Sequence, residues 1–519
     1  MPRKYLFLAV FASGMTSLAV EMAASRLLGN YFGAGHEVWA AIIGLILIYL
    51  TAGNFLGGAW ADRSPHPHTF ARILAWAGFT VGLIPVFSRP VLRVAAAAFD
   101  QLQMGAMIGA FASVLVLFAV PITLMGTASP FAIRLALHDS RRVGTTAGTI
   151  YAISTLGAFL GTFLPVLILI PFIGTFRTFL FLGGLLMVVG LFLLWRTVNL
   201  RSAVIYLWMP VILVLLAIFG MRGPDKNPEG LVEERESAYN YIQVLGFDDY
   251  RILRLNEGQG MHSMYHPTQL DFDGPWEQVL AAPFFNSAPY DPQNVQSIAI
   301  VGLAAGTTAR SATAVYGENV IIDGYEIDPE IVDVAREHFG MTEPNLNAIV
   351  QDGRVGLAQS ERRYNIVSVD AYRPPYIPWH MTTVEFFQIC RDHLTDDGVL
   401  VINVGRGPDD RRLIEAFSAT IGKVFPSVHV MDIPGTFNSI IYATVQPTDA
   451  ANLDANFVSL QSRRATHPLL LDSIRTVLEN RQPTPTGGMV FTDDHAPIEW
   501  ITSSMIFDFF LSGDVETLQ

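Results

Sequence analysis

The sequence predicts an α-helical transmembrane bundle of about seven spans, then a small β region, then an α/β Rossmann-like domain. Three observations carry that prediction. Only 15% of the 519 residues are charged while 51% are hydrophobic, whereas soluble domains carry about a quarter charged residues. The charges are also divided unevenly: residues 1–221 hold 13 Lys/Arg against 5 Asp/Glu, a net of +8, and the remainder holds 20 against 41, a net of −21. Finally, after Pro292 short apolar runs alternate with helical patterns, the signature of a doubly wound sheet.

A bilayer crossing needs about 20 apolar residues, and such runs lie at 5–24, 37–58, 70–88, 105–127, 148–172, 176–195 and 202–220. Met1-Pro-Arg-Lys before an apolar run has the form of a signal peptide, but Glu21 interrupts that run and six more spans follow, so a retained first helix is predicted. Glu21 is a functional candidate because a carboxylate is expensive in lipid; the competing reading is a hydrated residue at the interface beside Ser25 and Arg26. Gly57-Gly-Ala-Trp-Ala-Asp-Arg63 resembles the loop between helices two and three of major facilitator transporters, and seven spans would amount to half of one. Gly- and Ala-rich stretches such as Thr146–Gly161 let helices approach closely.

Nine Lys/Arg fall in connections on one side (Arg3, Lys4, Arg63, Arg72, Arg134, Arg141, Arg142, Arg196, Arg201) and four on the other (Arg26, Arg89, Arg93, Arg177). The bias puts the N-terminus in the cytoplasm, and seven spans would then put the acidic half outside. Supply of an intracellular cofactor argues the reverse, and the cytoplasmic side is the expectation adopted, with Pro90–Met104 the place where a span would be miscounted. The domain expectation is therefore a helical domain at 1–221, a linker at 222–236, a small antiparallel β region at 237–290 and the Rossmann-like domain at 291–519.

Within the β region, Tyr239–Leu245 and Arg251–Asn256 read as hairpin strands. His262 and His266 are four residues apart, but Gly258, Gly260 and Pro267 argue against the helix that would make this metal-ligand spacing. No metal is expected, and the single cysteine, Cys390, excludes a thiolate cluster within one chain. A substrate-contacting loop containing Gln259 is the preferred reading.

Ser297–Val301 reads as a buried strand running into Gly302-x-x-x-Gly306 and a helix. Such a loop lets a ligand approach the backbone at a helix N-terminus. Glu326 ends the second strand, twenty residues beyond Gly306, where a carboxylate can accept both hydroxyls of a ribose. Ala304 and Thr307 stand at the second and third positions of a dinucleotide glycine motif, which favours a nucleoside without pyrophosphate. Asp352-Gly353 follows the third strand and can reach an adenine amino group. The cofactor-binding set is thus Gly302, Ala304, Gly306, Glu326, Asp352 and Gly353.

Val301-Gly-Leu-Ala-Ala-Gly-Thr, Gly324-Tyr-Glu-Ile-Asp-Pro-Glu, Gln351-Asp-Gly, Tyr364-Asn-Ile-Val-Ser-Val-Asp-Ala-Tyr and Asp397-Gly-Val-Leu-Val-Ile-Asn together resemble the spermidine synthases, the polyamine aminopropyltransferases. The resemblance covers residues 235–445, and with the preceding helices it points to the membrane-fused branch, the MFS/spermidine synthase fusion type. It implies a class I methyltransferase-type fold and transfer of an aminopropyl group from decarboxylated S-adenosylmethionine to an amine. Two departures stand out: Ala305 and Arg373 replace acidic residues of the loops after the first and fourth strands, the second being the expected base. Trp276-Glu277 stands near the place of the family's Tyr-Gln pair.

Asp370 and Arg373 are accordingly the catalytic candidates, Asp370 as base and Arg373 as a clamp for a carboxylate such as the one ordinary S-adenosylmethionine retains. Pro374–Phe387 reads as a stiff aromatic lid leading into a helix capped by Thr382 or Thr383, with Glu385 near the capping-box position. The substrate-side candidates are Gln259, Tyr376, His380, Asp493, Asp494 and Glu499. Carboxylates beside the indole of Trp500 would suit a polyamine.

The expected partners are an amine or polyamine and the lipid bilayer, with no nucleic acid; a homo-oligomer is compatible with the sequence. Two other functions fit the same residues: an S-adenosylmethionine-dependent methyltransferase, and a transporter or sensor that binds an adenosyl ligand without catalysis.

Overall fold

The computed structural model describes residues 1–32, 36–102, 106–137, 142–220, 228–256, 260–372 and 377–512. It divides into two units, Met1–Asn227 and Pro228–Gln519.

Among the described residues of the first unit, seven helices are long and apolar enough to cross a membrane: Arg3–Phe32, Val38–Arg63, Pro67–Ala95, Gly109–Ala136, Val143–Ile173, Thr175–Thr197 and Leu200–Phe219. The small residues do what their size permits. A Cβ added to Gly157 or Gly161 would lie 2.2 Å from Phe11 O or 2.1 Å from Met15 O, so the first and fifth spans touch backbone to backbone. A π-helical turn at Pro165–Leu169 interrupts the fifth span where Pro165 supplies no N–H. The first and third spans are 61% and 67% buried in their most apolar stretches, against 22% and 17% for the fifth and seventh, whose apolar faces lie open on the outside of the bundle. The stretch after Pro90 stays helical to Leu102 and adds no span.

The second unit opens with a four-stranded antiparallel sheet: β1 (Leu231–Glu236), β2 (Tyr241–Phe247), β3 (Tyr250–Leu255) and β4 (Ser263–Tyr265), in that order. The predicted hairpin forms, with Phe247 paired to Tyr250 across a turn in which Asp248 takes φ 51°. Two expectations are corrected here. The segment read as linker up to residue 236 is a strand from Leu231 onward. As an edge strand it carries charge on both faces, so it shows no apolar alternation; Arg235 instead bonds Glu233, Glu330 and Glu337. The histidine loop likewise contains β4, which is too short for a periodic signal.

An eight-stranded sheet follows, built from β5 (Ser297–Val301), β6 (Ile321–Glu326), β7 (Leu346–Val350), β8 (Tyr364–Val369), β9 (Leu394–Gly405), β10 (Ser427–Asp432), β11 (Asn438–Thr444) and β12 (Arg481–Gln482). Its order is β12-β10-β11-β9-β8-β5-β6-β7. Strands β5 to β9 are parallel, as their helical crossovers require. Beyond the five parallel strands read from the sequence, β11 runs antiparallel to β9 and β10, because a short turn at Gly435 joins β10 to β11 and leaves no room for a crossover, and the short β12 pairs antiparallel with β10. Side chains alternate between two cores: Ile298, Ile300 and Ile366 pack on one face, and Ala299, Val301, Val367 and Val369 on the other. Strands β5 and β8 are buried at every position, which explains their mostly apolar sequence.

Candidate active site

The sheet order reverses at β5, which has β6 on one side and β8 on the other. Helices from the two directions lie on opposite faces there, and a crevice opens beyond the C-terminal ends of β5 and β8. The chain turns out of β5 through Gly302, Ala304 and Gly306, all with positive φ (93°, 48° and 84°). Gly302 is required twice over: its φ is left-handed, and a Cβ would lie 2.4 Å from Asp370 O. Helix Thr307–Tyr316 starts directly after the loop.

Glu326, at the tip of β6, is 8% exposed. Its Oε2 accepts the Ala304 N–H at 3.0 Å and its Oε1 the Asp328 N–H at 3.1 Å. Burial pushes its carboxyl up to about 7, and the backbone N–H groups of Asp328, Ala304 and Ile327 work against that rise. The carboxylate, with about four lone-pair sites, keeps acceptor capacity beyond these backbone bonds. Asp352 caps helix Gly353–Gln359, accepting the Val355 N–H at 3.0 Å, and its Oδ2 lies 3.3 Å from His380 Nε2. A Cβ on Gly353 would lie 2.5 Å from Val301 Cγ1, so this glycine lets the helix sit against β5.

Asp370 follows β8, and its backbone N–H donates to Val301 O at 2.9 Å, across the loop from Gly302. Its Oδ1 accepts from Asn403 Nδ2 at 3.0 Å. Desolvation pushes this carboxyl up to about 6 despite that bond. Asn403 Oδ1 is buried with no hydrogen-bond partner among the described residues. A narrow crevice adjoins Asp370 and Asn403, bounded also by Ser368, Thr308, Val279 and Pro275.

Some candidates are committed elsewhere. Asp493 receives two bonds from Arg354, at 2.8 and 2.6 Å, and one from Thr383 Oγ1 at 2.7 Å. The Arg354 guanidinium holds its carboxyl below the usual carboxylate range. Arg354 also donates to His380 O at 2.7 Å, and the Asp493 N–H donates to Glu385 Oε2 at 3.0 Å. Asp493 therefore joins the C-terminal turn to the helix after Asp352 and to the segment carrying His380. Glu385 closes no capping box, since it sits two residues after the cap, Thr383, instead of three. Asp494 is exposed on the Thr492–His495 turn, and Glu499 lies in the first turn of helix Ile498–Ser512. Glu277, 1% exposed, spends its oxygens on the Phe272 and Gly274 N–H groups (3.0 and 3.2 Å), and burial raises it to about 7. Gln259, Arg373 and Tyr376 lie outside the described residues.

One supporting group escaped the sequence reading. Ser263 in β4 accepts the Ala305 N–H at 2.9 Å, while Thr307 Oγ1 donates to Met264 O at 2.8 Å and accepts the Met264 N–H at 3.1 Å. The small sheet thus clamps the glycine loop, and a three-residue strand offers no periodicity to announce it. His262 and His266 flank β4 in extended chain, far from chelating geometry. Glu233, Glu337 and His338 do converge within 4.8 Å, but Arg235 already bonds both carboxylates.

The strand order and the loop at its switch point define the class: a methyltransferase-type Rossmann-like domain preceded by a small antiparallel sheet. Residues 288–455 match the Spermine/spermidine synthase domain family, so the C-terminal part of the chain carries a spermidine synthase domain. The chain is 30% identical over 293 residues to a probable polyamine aminopropyl transferase of Bifidobacterium longum, covering 52% of this chain and 61% of the relative. It is 27% identical over 238 residues to the polyamine aminopropyltransferase of Vibrio vulnificus, covering 43% and 75%. The chain thus spans less than two thirds of the Bifidobacterium relative. Among solved structures, a probable spermidine synthase from Corynebacterium glutamicum overlaps 52% of this chain and 97% of its own, at 20% identity and a TM-score of 0.40. Spermidine synthase from Thermotoga maritima overlaps 47% and 83%, at 17% identity and a TM-score of 0.37.

Proposed function

We propose that this protein is a membrane-anchored aminopropyltransferase that moves the aminopropyl group of decarboxylated S-adenosylmethionine to an amine. The observation that carries the proposal is the pairing of Glu326 with the Ala304 N–H at the switch point, with Asp370 across Gly302, inside the matched domain. Glu326 would take the ribose hydroxyls and Asp352 the adenine amino group, with Gly302, Ala304, Gly306 and Gly353 giving the donor access to the backbone. An amine is protonated at neutral pH and must lose a proton to attack. Asp370, with a carboxyl near 6, is mostly ionised at pH 7 and can accept that proton. The amine nitrogen bonds the methylene beside the sulfonium, the C–S bond breaks, and its electrons stay on sulfur, releasing methylthioadenosine. The seven helices are the anchor, and the transferase domain is placed on the cytoplasmic side, where its donor is made; a reporter fused after Gln519 tests that placement.

A second reading takes S-adenosylmethionine itself as donor, in a methyltransferase or related alkyl transfer. Its support is Arg373 and Ala305 standing where the resembled loops are acidic, a change that suits a donor carboxylate and disfavours an extra ammonium. The test supplies the full-length protein with either donor and 1,4-diaminobutane. Methylthioadenosine is the expected product; S-adenosylhomocysteine would replace the first reading by the second, and tight binding without either product would leave a ligand-binding sensor or transporter.

A further inference from the structure

The transfer chemistry leaves one feature of the helical unit unused. Among the described residues, Glu21 is the one carboxylate lying more than a turn inside any of the seven spans. It is half-buried, on a helix packed against the second, fourth, fifth and sixth spans, and no described residue gives it a hydrogen bond or an ion pair. Arg26, five residues on, points roughly 140° away around the helix and has an interaction of its own. One turn before Glu21 on the same face, Ser17 is 6% exposed and its Oγ has no partner. A turn further back, Ser13 Oγ donates to Met125 O at 3.4 Å and can still accept.

Serine and threonine hydroxyls inside helices ordinarily bond the carbonyl four residues back, as Ser113 and Thr178 do in this bundle. Leaving the buried Ser17 hydroxyl unbonded one turn from an uncompensated carboxylate is costly in an apolar bundle. Such a group of oxygens is matched by a ligand that carries one positive charge and only donors. A primary ammonium fits: it has three N–H donors and no acceptor, and its alkyl chain can lie against apolar residues of the same helix face such as Ala24 and Leu28. A divalent ion would need six or more oxygens, more than this helix face offers.

We propose that Glu21 and Ser17 form a binding site for an alkylammonium ligand within the helical bundle, separate from the transferase site and independent of whether transfer occurs. The test is equilibrium binding of radiolabelled 1,4-diaminobutane to the full-length protein in lipid nanodiscs, with methylthioadenosine formation measured in parallel. If both sites exist, about two equivalents bind per chain; Glu21→Gln removes one of them, Ser17→Ala weakens the same one at least fivefold, and 1,4-butanediol does not compete. Transfer activity of both variants stays at the unsubstituted level. A Glu21→Gln isotherm superimposable on the unsubstituted one, from protein that elutes and melts normally, overturns the proposal. If Glu21→Gln does not fold, an unchanged isotherm for Ser17→Ala overturns it equally. A single equivalent abolished by Glu21→Gln would support this site and count against an amine site in the transferase domain; a single equivalent indifferent to Glu21 would do the reverse.

Discussion

Two acidic regions of the second unit look alike in sequence and behave differently in the fold. At the strand tips, Glu326 and Asp370 are desolvated and are bonded by neutral donors, the Ala304 and Asp328 N–H groups and the Asn403 amide. At the C-terminal turn, Asp493 is encircled by Arg354 and Thr383. Burial raises the first pair toward neutrality, whereas the guanidinium lowers the second. A carboxylate with unspent lone pairs and a raised pKa is equipped to meet a ligand or a proton. One already saturated by arginine is equipped to hold two chain segments together.

The contrast can be broken most forcefully at Asp370. Asp370→Asn is expected to slow transfer by about 10²–10⁴-fold, the usual worth of a positioned base, while donor affinity measured by calorimetry stays within a few-fold. Equal loss of donor binding would move Asp370 from proton transfer to donor recognition. Next comes Glu326→Gln, expected to weaken donor binding by roughly 10–100-fold, in line with about 1.5–3 kcal/mol for a hydrogen bond to a charged group.

Protonation sharpens the same comparison. Ribose hydroxyls bond the ionised form of Glu326, so donor affinity should rise as pH increases through about 7 and then level off, and this slope should vanish in Glu326→Gln. Folding stability without donor should move the other way. Glu277 and Glu326 are both raised to about 7 from 4.5, so between these values the folded state holds more protons than the unfolded chain, and stability falls as pH rises across that window. Chemical denaturation at pH 5 and pH 7.5 should show the difference, and Glu277→Gln should flatten part of it.

The smallest effect is expected at the turn. Asp493→Asn should lower stability by about 0.5–1 kcal/mol, because the pair is partly exposed and water screens it. Donor affinity should be unchanged, with a modest rise in KM as the His380 segment loosens. A large loss of amine binding instead would restore Asp493 to the substrate side.

The positions of these groups along the chain could be read in advance wherever the signal was local. Ser297–Val301 and Tyr364–Val369 are mostly apolar because both faces of their strands are covered, and Gly302 and Glu326 follow from where such strands end. Signals that depend on a distant partner were invisible. Leu231–Glu236 reads as a linker until Glu330 and Glu337 arrive from another helix to pair with Arg235. The antiparallel end of the sheet depends on how tightly the chain turns at Gly435, and apolar patterning does not encode strand direction.

By itself, the sequence determined the division into a lipid-suited half and an acidic half, the strand-and-helix alternation, and the glycine loop with its acidic strand tips. Periodicity, charge and left-handed turns are properties of neighbouring residues, so they survive without a fold. Tertiary structure alone decided which polar groups were tied and which carboxylates kept free lone pairs: Ser263 on the Ala305 N–H, Arg354 on Asp493, and Asn403 on one oxygen of Asp370 are contacts across 42, 139 and 33 residues. A carboxylate's pKa and its free lone pairs depend on what the fold brings within hydrogen-bond reach, and that is set by packing between segments that are remote in the chain.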